Sequence, residues 1–187
     1  MDRVINPSEE ELGQVLTQFD RLSELLIDTS SLIQIEKAGF LPWLSRVVHL
    51  YTIPLVREEY VQGSHSMTFP QEVQLLSRGN SKAEQLSFST DEALIGVALS
   101  RRLPILSEDR KLLLRAEALG LEYYNALMML EFIYYRVVDG GEKGRSASCQ
   151  ALNYSSVKQK LITSSRYSYG VLKYIEQLHY FIEKSVG

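Results

Sequence analysis

Short apolar runs alternate with helix-spaced segments through the first two thirds of the chain, and this alternation constrains the fold most tightly. "ELLID" (24–28), "HLYTIP" (49–54), "LPILS" (103–107) and "LEYY" (121–124) have the length and the apolar, aromatic or β-branched content of strands. Between them, residues 30–46 read as helix interrupted near Gly39 and Pro42, and "PLVREEYVQG" carries Pro54 in front and Gly63 behind, as a short helix does. "STDEALIGVALSRR" follows as a helix with Ser89 or Thr90 as its cap, then "EDRKLLLRAEALG" with Gly120 as its stop. Residues 63–84 are polar and broken. Strands joined through helices form a parallel sheet covered on both faces. The expected class is therefore α/β, a three-layer sandwich around a central parallel sheet.

Both ends of the chain extend this pattern. In "PSEEELGQVLTQFDRL", Ser8 and Glu11 form a capping-box pair ahead of Leu12, Val15, Leu16 and Phe19, which predicts an amphipathic first helix. Beyond Tyr135, "DGGEKGRSAS" (139–148) reads as a loop, and "ALNYSSVKQKLITSS" and "YGVLKYIEQLHYFIEKS" read as two helices, the second with Val171, Ile175, Leu178 and Ile182 on one face. The organisation expected is an N-terminal helical extension (1–23), a central α/β domain (24–135) and a C-terminal loop and helical extension (136–187).

A chain of 187 residues can bury roughly 70% of its unfolded surface without staples. Its 45% hydrophobic and 23% charged residues exclude wholesale disorder. One cysteine, Cys149, excludes an internal disulfide. No apolar run reaches the length of a bilayer span, and the acidic start lacks the basic region of a signal peptide. A soluble, cytoplasmic protein is expected. The formal charge of −3 offers no general attraction to nucleic acid, so binding of that kind needs a local basic patch.

Four acids stand out. Asp28 ends the first strand, Glu59 lies in the helix after the second, Asp91 opens the next helix, and Asp109 follows "LPILS". In a parallel sheet, junctions where strands end and helices begin share one rim, where such folds place their sites. Gathered carboxylates repel unless a cation neutralises them, and all-oxygen ligation suits Mg²⁺ or Mn²⁺. Each acid has a plainer reading as well, since aspartate is a favoured helix N-cap and a glutamate on a helix commonly faces solvent. Arg57, Arg101, Arg102, Arg110, Lys111 and Arg115 lie close in sequence to the acids. They read either as solvated helix surface or as a phosphate-holding rim. His49, His65 and His179 lack the spacing of a zinc site, and Cys149 has no base near it in sequence.

In order and spacing, "LLIDTSSLI", "IPLVREEYVQG", "DEALIGVALSRRLPILSEDRKL" and "GLEYYNALMML" resemble the PIN domain, a family of metal-dependent ribonucleases that includes many toxins of toxin-antitoxin pairs. The family's strand ending in Asp-Thr and then Asn or Ser is matched by Asp28, Thr29 and Ser30. Its glutamate four residues before a glycine is matched by Glu59 and Gly63. The helix-opening acid with an apolar residue three positions on corresponds to Asp91 and Leu94, with Ala98 and Leu99 further along. "LPILSED" supplies the fourth acid, Asp109, with Ser107 at the hydroxyl position. The likeness spans about residues 24–130; the helix at 9–20 and the tail after 135 lie outside it.

This resemblance implies an endoribonuclease in which Asp28, Glu59, Asp91 and Asp109 hold Mg²⁺ or Mn²⁺ and carry catalysis. It implies that Ser30, Ser107 and Arg110 contact RNA, and that an antitoxin protein or a second copy of the chain is a partner. Motif spacing selects Glu59 over Glu58, Asp91 over Glu92, and Asp109 over Glu108, with Glu108 as an auxiliary. A non-catalytic PIN-like module binding RNA or protein is the alternative. A haloacid-dehalogenase-type phosphatase fits less well, because Ser30 stands where that family has its second aspartate.

Overall fold

The computed structural model describes residues 7–63, 68–76, 89–139, 152–165 and 167–186. His65, Cys149 and the expected loop at 140–148 lie outside the described residues. The chain divides into two compact units: Ser23–Ala126, and Met1–Leu22 together with Leu127–Gly187. The first is a sheet unit, the second a helical one.

In the sheet unit, five parallel strands stand in the order β3-β2-β1-β4-β5, with β1 Glu24–Ile27, β2 His49–Thr52, β3 Val73–Leu75, β4 Ile105–Leu106 and β5 Tyr123–Tyr124. The fold is α/β, and its all-parallel sheet and helices are compatible with a three-layer sandwich. β1 is central because Leu25, Leu26 and Ile27 are all fully buried, as a parallel strand covered on both faces requires. Each such side chain contributes about 1.5–3 kcal/mol on burial. Leu26 pairs with Tyr51 on one side and Ile105 on the other.

The helices follow from the connections. After β1 come α2 (Thr29–Ala38) and α3 (Leu41–Val47). Gly39 ends α2 in the left-handed conformation at φ 86°, donating its N–H to the carbonyls of Ile35 and Glu36. α4 (Pro54–Gly63) follows β2, α5 (Thr90–Arg101) precedes β4, and α6 (Arg110–Ala118) follows it. Val56 of α4, Leu94, Ile95 and Ala98 of α5, and Leu112 and Ala116 of α6 share one core cluster with Leu26 and Ile105.

Strand order reverses between β1 and β4, because the chain runs β1 to β2 to β3 on one side and then β4 to β5 on the other. At such a switch point the loops leaving neighbouring strands diverge, opening a crevice at their carboxyl ends. The ladder runs one residue past the strands into it: Asp28 N donates to Leu106 O at 3.1 Å, and Ser107 N to Tyr124 O at 3.0 Å. The edge strand β3 falls in the stretch that reads as polar and broken, since only Val73 of its three residues is buried.

The helical unit holds α1 (Glu9–Arg21), which begins with the expected capping box between Ser8 and Glu11. Leu12, Val15 and Phe19 are its buried positions, and Phe19 packs edge-on against Phe132 at 5.3 Å between centroids. α7 (Ala126–Asp139) carries Phe132, so the chain is still helical at residue 135, where the sequence places a domain boundary. α8 (Tyr154–Ser164) and α9 (Tyr169–Val186) complete the unit; Ile175, Leu178 and Ile182 of α9 are buried. Nine helices are present among the described residues, and none is long and apolar enough to cross a membrane.

Buried in this unit, Glu131 of α7 accepts the hydroxyl of Tyr154 on Oε1 and faces Nδ1 of His179 at 2.8 Å on Oε2. Lys158 Nζ stands 3.8 Å from Oε1. The rings of Tyr154 and His179 stack at 5.0 Å. Burial, and then the Glu131 charge, push the Tyr154 phenol far above its ordinary value. His179, from sequence a member of an ordinary amphipathic helix, is one of the groups in contact with a fully buried acid.

Candidate active site at the strand switch point

Asp28 sits where β1 leaves the sheet and is only 8% exposed. As the N-cap of α2, its Oδ1 accepts the Ser31 N–H at 2.7 Å. Its Oδ2 accepts two hydroxyls, Ser30 at 2.9 Å and Ser107 at 2.6 Å. Burial raises its pKa above the ordinary carboxylate value, and the Ser107 hydroxyl, the Ser31 amide and the Ser30 hydroxyl offset part of the rise. No ion pair to Asp28 is present among the described residues.

Ser107, fully buried after β4, links two acids. Its hydroxyl donates to Asp28 and accepts the backbone N–H of Asp109 at 2.9 Å. Asp109 caps α6 with one oxygen, Oδ1, which takes the N–H groups of Lys111 at 2.7 Å and Leu112 at 3.4 Å. No described hydrogen bond engages its other oxygen. A cap thus uses one carboxylate oxygen of each aspartate; the second accepts two serine hydroxyls in Asp28 and no described hydrogen bond in Asp109.

Glu59, exposed on α4, accepts the Thr29 hydroxyl on Oε2 at 2.7 Å and the Thr90 hydroxyl on Oε1. Asp91 lies in the first turn of α5. Its pKa is raised by partial burial, then by the charges of Asp109 and Glu59, with Arg115 pulling the other way. Hydrogen bonds and charge link the four expected acids in pairs: Ser107 joins Asp28 to the Asp109 backbone, Thr29 joins Glu59 to the residue after Asp28, and Asp91 feels both Asp109 and Glu59. Three helix N-termini, those of α2, α5 and α6, meet the same charge, and their partial positive ends favour it.

The ambiguous neighbours have other work. Glu92 closes a capping box with Ser89 and stands 4.0 Å from Arg115. Glu108, expected as an auxiliary, accepts the Ala126 N–H at 2.6 Å. Of the expected substrate contacts, Ser30 and Ser107 are turned onto Asp28, and Arg110 is exposed at the start of α6 beside Asp109. Arg57, Arg101, Arg102, Lys111 and Arg115 are exposed too. Sequence offers Ser89 or Thr90 as the cap of this helix; Ser89 takes that place and Thr90 reaches across 31 positions to Glu59, and no local pattern marks a contact so distant.

Among the described residues, no three His, Cys, Asp or Glu side chains are grouped as a ready-made metal site. The donor set is nonetheless all oxygen, which is the chemistry of a hard cation. Mg²⁺ is commonly bound through only one or two carboxylates and keeps several waters. Among the described residues Asp28 and Asp109 are linked through the Ser107 hydroxyl, which donates to the Asp28 carboxylate and accepts the Asp109 backbone N–H. The chain matches no protein-family model, no curated protein and no solved structure.

Proposed function

We propose that the chain is a PIN-like endoribonuclease, dependent on Mg²⁺ or Mn²⁺, whose reaction is run by the acids at the switch point between β1 and β4. One observation carries this reading: Asp28 is a buried carboxylate whose described partners are hydroxyls and an amide, with no positive charge among them. Burying an anion without a counter-charge is costly, and three further acids on the rim add to the cost. A divalent ion supplied from outside neutralises all of them together.

On this reading Asp28 and Asp109 would hold the cation, Asp91 would reach it through the waters it keeps, and Glu59 completes the anionic set. A bound divalent ion lowers the pKa of water to give a nucleophile and offsets the charge that builds on a phosphodiester. The chain's own groups supply the rest. Ser107 fixes Asp28 Oδ2 and the start of α6, so the two aspartates keep one mutual geometry. Ser30 fixes the same oxygen from α2. Arg110, at the open edge beside Asp109, holds a phosphate of the RNA backbone, a contact that positions without reading sequence.

Incubating the protein with a single-stranded oligoribonucleotide and Mn²⁺ tests the reading. Cleavage is expected with Mn²⁺, none with EDTA, and none with Asp28→Asn. Cleavage that persists in EDTA overturns it. RNA bound but never cut replaces the nuclease with a binding module.

A further inference from the structure

We propose, on the ribonuclease reading above, that Thr29 and Thr90 are positioning residues acting through Glu59, and that Glu59 braces the cation-holding aspartates instead of ligating the cation. Both Glu59 oxygens are engaged by hydroxyls, Thr29 at 2.7 Å on Oε2 and Thr90 on Oε1. Thr29 directly follows Asp28, and Thr90 directly precedes Asp91. One carboxylate on α4 therefore ties together the first turns of α2 and α5, the two segments that present those aspartates.

Neither threonine hydroxyl is needed to begin its helix. Asp28 caps α2, and Ser89 with Glu92 caps α5. The hydroxyls instead cross 30 and 31 sequence positions to the same acid. Hydrogen bonds from O–H to an ionised carboxylate are roughly twice as strong as neutral ones. Threonine's branched Cβ also restricts χ1, so each hydroxyl is held in a defined direction. The like charge of Asp109 acts on Asp91 at the start of α5, and the clamp holds that start to α2 whether or not a cation is bound.

Mn²⁺ affinity by calorimetry, beside RNA cleavage and thermal melting of the full chain, tests this in Thr29→Val, Thr90→Val, Thr90→Ser, Glu59→Gln and the double valine variant. Valine keeps the shape and removes the hydroxyl. Loss of an outer partner typically costs 10–100-fold in metal affinity, so each valine variant is expected to bind Mn²⁺ about tenfold more weakly, with Thr90→Ser restored to within about twofold. Glu59→Gln is expected to lose no more than the double valine variant, and to add little when combined with Thr90→Val.

Valine variants with the parent's affinity overturn the brace. A Glu59→Gln loss that far exceeds the double variant's makes Glu59 a ligand and overturns it as well. Should Thr90→Val melt below the assay temperature, Thr29→Val and the serine variant carry the same comparison. Mn²⁺ binding that weakens as expected in a protein that cuts no RNA removes the ribonuclease reading and leaves the brace. Cleavage with Mn²⁺ affinity unmoved by valine removes the brace alone, and a parent that binds no Mn²⁺ removes both.

Discussion

Each unit buries a carboxylate, and the two are neutralised in opposite ways. Glu131, in the helical unit, is fully buried against a tyrosine hydroxyl, His179 at 2.8 Å and Lys158 at 3.8 Å. Asp28, in the sheet unit, is 8% exposed and meets only serine hydroxyls and an amide. An acid held between a lysine, an imidazole and a phenol of the chain itself is a structural clamp. An acid met only by neutral donors has no such partner in the chain, and on the proposed reading its counter-charge is a divalent cation. On that reading, what marks a functional carboxylate is burial without a protein counter-charge, not burial alone.

Neutral substitution of the two acids is the strongest attempt to break this contrast. Asp28→Asn is expected to cut Mn²⁺-dependent RNA cleavage at least about a hundredfold, near 3 kcal/mol in activation terms, and to raise the melting midpoint, since the desolvated charge is gone. Glu131→Gln is expected to leave cleavage within about twofold and to destabilise the helical unit by about 2 kcal/mol, because it takes the buried carboxylate away from Lys158, which keeps some solvent. Cleavage assays and thermal melts of both variants check this. Equal loss of activity in the two erases the distinction.

Smaller effects sharpen it. Removing the Tyr154 hydroxyl with Tyr154→Phe takes one neutral donor from Glu131, and about 1 kcal/mol of stability should go with it; chemical denaturation measures this. The pH response has opposite signs in the two units. Burial, foremost, raises the pKa of Asp28 and Asp91. An acid raised on folding keeps a proton that the unfolded chain has already lost, so without divalent ions the sheet unit gains stability as pH falls through the window just above the ordinary carboxylate range. Glu11 is lowered, chiefly by its bond from the Ser8 backbone N–H, so the capping box of α1 contributes above that range and is lost as pH falls through it. Melting midpoints from neutral to mildly acid pH should rise for the parent and stay flatter for Asp28→Asn.

Much of this architecture is legible in the sequence where apolar runs are continuous. β1, β2, β4 and β5 lie inside the expected segments because their buried positions form short apolar, aromatic or β-branched runs, and α1 begins at the expected cap because Ser8 and Glu11 are local partners. β3 escapes because an edge strand of three residues with one buried side chain carries no period. The acids are legible as a set through their junction positions. The choice among neighbouring acids becomes physical only in three dimensions, where Glu92 and Glu108 are occupied by helix starts. The Glu131 cluster and the Thr90 contact join residues 23 to 48 positions apart with no intervening pattern, so burial and proximity alone identify them.

Thermal melting with a Mn²⁺ titration, parent against Asp28→Asn, tests most directly whether the rim acids await a cation. A ligand present at a hundred times its dissociation constant stabilises the folded state by about 2.7 kcal/mol, so the parent midpoint should climb with Mn²⁺ while the asparagine variant, already relieved of the charge, stays nearly still. Midpoints that both ignore Mn²⁺, or that climb together, contradict the account.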